Sequence, residues 1–183
     1  MKIMVFTSSP NKDGLTAACG AEAKKGAEMG SAQVELVDLN ELNIPRCQAC
    51  GNGWGTCRDK HFCQVEDDFQ NLHSKVAEAD GYIIITPVYW HDMSESLKAF
   101  LDRLRRCEAF SDKNVLSGKP FVCVAAPGGS GNGAISCLAS FERFVDHVKG
   151  VKYDLINITR RSRDYKLITI REASKSMAES LLK

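Results

Sequence analysis

Tyr82-Ile83-Ile84-Ile85-Thr86-Pro87-Val88-Tyr89-Trp90 opens on four large, β-favouring side chains and breaks at Thr86 into a polar and then aromatic segment. A short apolar run without polar alternation predicts a strand buried on both faces, as in a parallel sheet covered by helices on each side. Outward from this run the period changes to that of a helix. Upstream, Phe69, Leu72, Val76 and Ala79 follow Asp67 and Asp68 and stop before Gly81. Downstream, Leu97, Phe100, Leu101 and Leu104 fall at i, i+3, i+4 and i+7 behind Ser94, a good N-cap residue. Further β-rich runs stand at Ile3 to Phe6, Val34 to Val37, Phe121 to Val124 and Leu155 to Ile158. Three more helical stretches separate or follow them. One is Ala-rich, from Thr16 to Met29 before Gly30; one carries Ile135, Leu138, Val145 and Val148 before Gly150; the last carries Leu167, Ile170, Ser174, Met177 and Leu181. Alternating strands and helices predict an α/β domain with a five-stranded parallel sheet in the doubly wound order 2-1-3-4-5.

At 183 residues the chain suits one domain, large enough to bury roughly 70% of the surface its unfolded form exposes. It shows no repeat, low-complexity tract or linker. Lys and Arg number 24 against 23 Asp and Glu, a formal charge of +1, so no long-range field would hold nucleic acid or an anionic membrane. The cluster Arg103, Arg105 and Arg106 reads as a solvated helix C-terminus, where cations suit the dipole. The apolar start Met1 to Phe6 is too short for a signal-peptide core, and no run has membrane-spanning length, so a cytoplasmic protein is expected. There, eight cysteines read as small core residues, metal ligands or redox thiols rather than as a disulfide framework. The segment from about 41 to 66 is the one long irregular stretch, and loops of that length are usually functional or disordered.

In a doubly wound sheet, ligands bind beyond the carboxyl ends of the strands where strand order reverses, here the loops after the first, third and fourth runs. The first is Ser8-Ser9-Pro10-Asn11-Lys12-Asp13-Gly14-Leu15-Thr16, a hydroxyl-rich loop entering a helix N-terminus, suited to a phosphate. The next, Thr86-Pro87-Val88-Tyr89-Trp90, offers an aromatic wall to a flat ring such as a flavin. The third, Pro127-Gly128-Gly129-Ser130-Gly131-Asn132-Gly133, lets backbone approach a planar ligand closely. Neither a triphosphate-binding P-loop nor a G-x-G-x-x-G fingerprint occurs. His61, His73, His91 and His147 are scattered and form no triad; His91 reads as a surface residue at a helix start.

These loops, with Ala79-Asp80-Gly81 and Lys98-Ala99-Phe100-Leu101-Asp102-Arg103, resemble the NAD(P)H-dependent FMN reductase family and its relatives, the iron–sulfur flavoproteins, over residues 1 to about 150. The resemblance implies a flavodoxin-like three-layer αβα sandwich. It implies FMN with its phosphate at Ser8, Pro10, Asn11 and Thr16, and its ring against Pro87, Val88, Tyr89 and Trp90 and against Gly128, Gly129 and Ser130. It further implies NAD(P)H as hydride donor, a small-molecule acceptor or a redox partner protein, and a homodimer or homotetramer. FMN carries the chemistry, so no protein acid or base need be invoked.

Cys47, Cys50, Cys57 and Cys63 supply the ligand count of a [4Fe–4S] cluster or of structural zinc, and equally allow a redox pair or free thiols. Iron–sulfur flavoproteins carry a C-x₂-C-x₂-C opening with a fourth cysteine soon after; here Gly53 holds the third position and Cys57 is the displaced substitute. Cys19, Cys107, Cys123 and Cys137 lie on apolar elements and read as core.

Overall fold

A computed structural model describes all 183 residues. Its strands are β1 (Lys2–Thr7), β2 (Gln33–Asp38), β3 (Gly81–Tyr89), β4 (Asp92–Met93), β5 (Pro120–Ala126) and β6 (Val151–Asn157). Its α-helices are α1 (Leu15–Met29), α2 (Thr56–Asp59), α3 (Phe69–Glu78), α4 (Glu95–Glu108), α5 (Ala134–His147) and α6 (Arg163–Ser180). The five long strands pair in parallel in the order β2-β1-β3-β5-β6, which is the expected doubly wound order. β4 is an addition: it pairs antiparallel with the end of β3, Val88 opposite Met93 and Tyr89 opposite Asp92.

Alternation along the strands divides the core in two. On one face Met4, Phe6, Tyr82, Ile84 and Phe121 pack with Phe69, Leu72, Phe100, Leu104, Phe141 and Val145 from α3, α4 and α5. On the other, Ile3, Val5, Ile83, Ile85, Val122 and Val124 pack with Cys19, Ala23 and Ala27 of α1 and Ile170 and Met177 of α6. The buried stripe of α1 consists of Thr16, Cys19, Gly20, Ala23, Gly26 and Ala27. All are small, which is why periodicity in large apolar residues barely marked this helix, and why α6 comes so near it.

Three sequence expectations need correcting. The last long strand begins at Val151, not Leu155, because its first half, two exposed and then two half-buried residues at the sheet edge, carries no continuous apolar run. Ile135 is 74% exposed; the inner face of α5 is formed by Ala134, Cys137, Phe141, Phe144 and Val145. His91 does not begin a helix. Trp90 and His91, at φ 47° and 69°, are the two turn residues of the β3–β4 hairpin, and α4 starts later behind its Ser94 cap. Positive φ at both central positions is the twist a two-residue hairpin demands, usually met by Asn-Gly.

Candidate functional site

The loops after β1, β3 and β5 converge because those strands are neighbours, and a buried hydroxyl network fixes two of them to α4. Ser8 Oγ donates to Thr86 Oγ1 at 3.1 Å and lies 3.4 Å from the Ile85 carbonyl oxygen. Ser94 N–H donates to Thr86 Oγ1 at 3.0 Å, and Ser96 Oγ reaches the Ser8 carbonyl oxygen at 3.5 Å. Ser8, Thr86 and Ser94 are all buried. The Ser8 hydroxyl thus ties the loop after β1 to the end of β3, a task invisible in a sequence motif.

The first turn of α1 is left open. Gly14 caps it without a side chain, and no acidic residue occupies the turn. Asn11 Oδ1 accepts from Asp13 N–H at 3.2 Å, and a Cβ on Gly14 would come within 2.9 Å of Asn11 Nδ2, so the Asn11 side chain packs closely over the glycine. Thr16 is buried, yet its hydroxyl has no hydrogen bond within the protein. With Ser9, Asn11 and Lys12 it lines an open hollow between this loop and the end of β2. Uncapped N–H groups and a free hydroxyl together suit an anion such as the FMN phosphate. Pro10 sits exposed at the rim.

On the other side, Pro87 and Val88 are half-buried, Tyr89 is more exposed, and Trp90 is 97% exposed on the hairpin tip. Gly133, at φ 82°, lets that tip close on α5: a Cβ there would lie 2.7 Å from His91 Cα, and Ser136 Oγ donates to the His91 carbonyl at 2.9 Å. Gly128 and Gly129 face open space, and Ser130 Oγ accepts from Asn132 N–H at 3.2 Å. Pro87 to Trp90 and Gly128 to Ser130 thus end adjacent strands, exposed aromatics on one side and open glycines on the other, a combination that suits a flat ring.

The cysteine loop lies under α4. Cys47, Cys50, Cys57 and Cys63 all line one hollow, with Gln48, Gly55, Gln64, Arg103 and Arg106 among its other walls. No three of the thiols stand close enough to hold a single ion as placed. Ala49, at φ 46°, and Gly51, at φ 59°, turn the chain back on itself between Cys47 and Cys57. Two sulfurs already accept hydrogen bonds, Cys47 Sγ from Ala49 N–H at 3.5 Å and Cys63 Sγ from Arg103 Nη2 at 3.3 Å.

Here the reading of Arg103 and Arg106 as a solvated terminus fails. Arg103 is 2% exposed, stacked 4.4 Å from the Phe69 ring centroid, and its fork grips Asp67 Oδ2 and Oδ1 at 2.8 and 3.0 Å. Arg106 lies 3.8 Å from the Trp54 ring centroid and donates to the Gly53 carbonyl. Arg105, only half-buried, faces outward beside His147. The side-chain N and O atoms fully sealed from solvent and without a partner are the Nε of Arg103 and of Arg106, both residues of the hollow's wall. Asp67, read as a helix-start residue, is the signal that could have exposed this pair.

The profile of the NADPH-dependent FMN reductase family matches residues 1–153. The chain belongs to that family. An iron-sulfur flavoprotein of Methanosarcina thermophila is 34% identical over 136 residues, 73% of this chain and 66% of the relative. One from Methanocaldococcus jannaschii is 29% identical over 130 residues, 70% and 65% of the two lengths. The chain thus spans about two thirds of the length of these curated relatives. The solved NAD(P)H:quinone oxidoreductase from Methanothermobacter marburgensis shares the fold, with TM-score 0.75 at 18% identity over 97% of this chain and 96% of that one. The FMN reductase family member is flavodoxin-like in fold, and no helix in it is long and apolar enough to cross a membrane.

Two predictions follow from the placement of hydroxyl and thiols. Thr16→Val should weaken FMN binding by about 1–3 kcal/mol through loss of a hydrogen bond to a charged group; a flavin fluorescence titration that finds unchanged affinity would remove Thr16 from the site. Burial pushes the Cys19, Cys107 and Cys137 thiols up to about 12, and that of Cys123 higher still. At pH 8 such groups are thiolate to roughly one part in ten thousand. Ellman's reagent should therefore modify the four half-buried loop thiols of the native, metal-free chain, and the four buried ones only on unfolding.

Proposed function

We propose that this protein is an FMN-dependent oxidoreductase whose Cys47, Cys50, Cys57 and Cys63 hold an iron–sulfur cluster, so that it passes electrons between the two groups and an outside donor and acceptor. The observation that carries the cluster is the wall of the cysteine hollow, which brings all four cysteines together with the two arginines of α4. Two guanidinium groups suit the net negative charge that a cluster and its four thiolates would bring, and the two curated relatives named above are iron-sulfur flavoproteins.

When bound, FMN supplies one- and two-electron chemistry and the cluster single-electron chemistry. The chain's own residues bind and orient. Thr16 and the first turn of α1 would fix the phosphate, Pro87 to Trp90 and Gly128 to Ser130 would border the ring, and Arg103 and Arg106 would offset thiolate charge. Helix α4 joins the sites. From Ser94 at the flavin loops to Arg103 at the thiols is nine residues, about 14 Å of helix rise. Phe100, between them, packs on Phe6 and Phe69 at 5.3 and 6.0 Å between ring centroids.

Family membership and the exposed hairpin favour NAD(P)H as hydride donor, stacking transiently on the open face of the ring. The apolar Trp90 and Ile135 at the rim favour a second copy of the chain as cover, making the working form a homo-oligomer. Reconstitution of the metal-free chain tests the cluster: incubation with ferrous iron and sulfide should yield one four-iron, four-sulfide group per chain, while stoichiometric zinc with no uptake of iron would overturn it. Anaerobic oxidation of NADPH over a panel of quinone and flavin acceptors tests the donor. A rate no higher than that of free FMN, with flavin bound, would reject it.

A further inference from the structure

Residues 45–54, which carry two of the four thiols, belong to no helix or strand. Across that span just two hydrogen bonds reach the rest of the domain. One runs from Arg103 Nη1 to the Pro45 carbonyl at 3.2 Å, the other from Arg106 Nη2 to the Gly53 carbonyl. The same Arg103 fork takes in the far end of the loop, reaching Cys63 Sγ at 3.3 Å, the Val65 carbonyl at 3.4 Å and both oxygens of Asp67. Trp54 is trapped between the two ends by stacking on Arg106, with Phe110 edge-on at 5.2 Å.

We propose that Arg103 and Arg106 are positioning residues that assemble the cysteine loop on α4 before any metal arrives, Arg103 presenting Cys63 directly through an N–H···S bond. The inference rests on the cluster reading only for the identity of the group that the loop receives. A planar guanidinium with five donors can hold carbonyl, carboxylate and sulfur acceptors at once, which a lysine ammonium on the same helix cannot. Because the inner face of α4 is packed into the core through Leu97, Phe100, Leu101 and Leu104, the arginines hold the loop's two ends in place, and ligand uptake has only to draw the thiols together.

Limited trypsin digestion of the full-length, metal-free chain tests this, since Arg46, Arg58 and Lys60 are exposed cleavage points on the loop. Cleavage there should be slow in the native sequence and change little after reconstitution with iron and sulfide. Arg103→Lys and, separately, Arg106→Lys should open the loop on the order of a hundredfold and tenfold more often, respectively. Unchanged far-ultraviolet circular dichroism should show the sheet intact. Arg106→Lys, at the less buried site, keeps the test available if Arg103→Lys fails to fold. If the native metal-free loop is cut as fast as in both variants and resists only after metal uptake, metal rather than arginine orders it and the proposal falls. A native chain that resists cleavage yet takes up neither iron nor sulfide supports the clamp while defeating the cluster reading, so the two ideas fail separately.

Discussion

Cys50→Ala should empty the cysteine hollow of iron and leave the flavin in place. Cys50 follows the left-handed Ala49 and precedes the left-handed Gly51, so its position is fixed by a backbone turn that few residues adopt and that no neighbour can imitate. A Cβ on Gly55 would come within 2.9 Å of Cys50 Cβ, so the chain closes tightly around this thiol on its far side as well. Removing the sulfur leaves three thiolates for a group that takes four, and the hollow's uncharged polar side chains, Gln48, Thr56 and Gln64, are poor ligands for iron. Iron retained by the purified variant should fall at least tenfold. The flavin loops are secured by Ser8, Thr86 and Ser94, none of which touches the cysteine segment, so flavin content should match that of the native chain. Iron and flavin assays on one sample read both. Iron at the native level would take Cys50 out of the ligand set; loss of both groups would show the two sites to be one folding unit.

Gly26→Ala should produce the largest loss of stability from a single methyl group. Gly26 lies in the buried stripe of α1 where α6 crosses it, and a Cβ there would overlap the carbonyl oxygen of Arg171. The obstacle is main chain of a helix, which cannot rotate aside as a side chain would. The helices must separate, and cavities then open beside Ala23, Ala27, Ile170 and Met177. The cost should be about 3 kcal/mol, a fall in thermal midpoint of roughly 6–12 °C for a chain of this size. The helix gains from alanine's better propensity by only about 1 kcal/mol. Thermal denaturation followed by circular dichroism checks this, and an unchanged midpoint would mean the α1–α6 contact is looser than the structure shows.

The strands and their order were legible because their apolar runs are short, continuous and buried, and such runs have few alternatives. The meeting of the three strand-end loops was legible for a related reason: the carboxyl ends of neighbouring parallel strands have a fixed location in a doubly wound sheet. What stayed hidden involves partners far apart in sequence. Arg103 looks like a solvated cation until Asp67, 36 residues earlier, is seen to meet it. The hydroxyl bond from Ser8 to Thr86, 78 residues later, leaves no mark in either loop's motif. The β3–β4 hairpin was hidden differently. Its turn is Trp90-His91, and neither residue carries the glycine or asparagine signal by which such turns are read. A pair of bulky residues held at positive φ is costly, of order 1–3 kcal/mol each, and Gly133 at the start of α5 and Ser136 on it are what hold the turn there. Small-residue α1 was faint because its inner face has almost no large apolar side chain to mark the period.

The central claim is that one chain of the FMN reductase family carries flavin on its strand-end loops and an iron–sulfur cluster under α4. The most direct test is the visible absorption spectrum of the untreated protein, purified without oxygen. The account predicts resolved flavin bands riding on a broad brown absorption that bleaches when dithionite is added, with iron, sulfide and FMN in the same fraction. Flavin bands alone, on a chain free of iron and sulfide, would contradict it and leave a simple flavin reductase with a loop of free thiols.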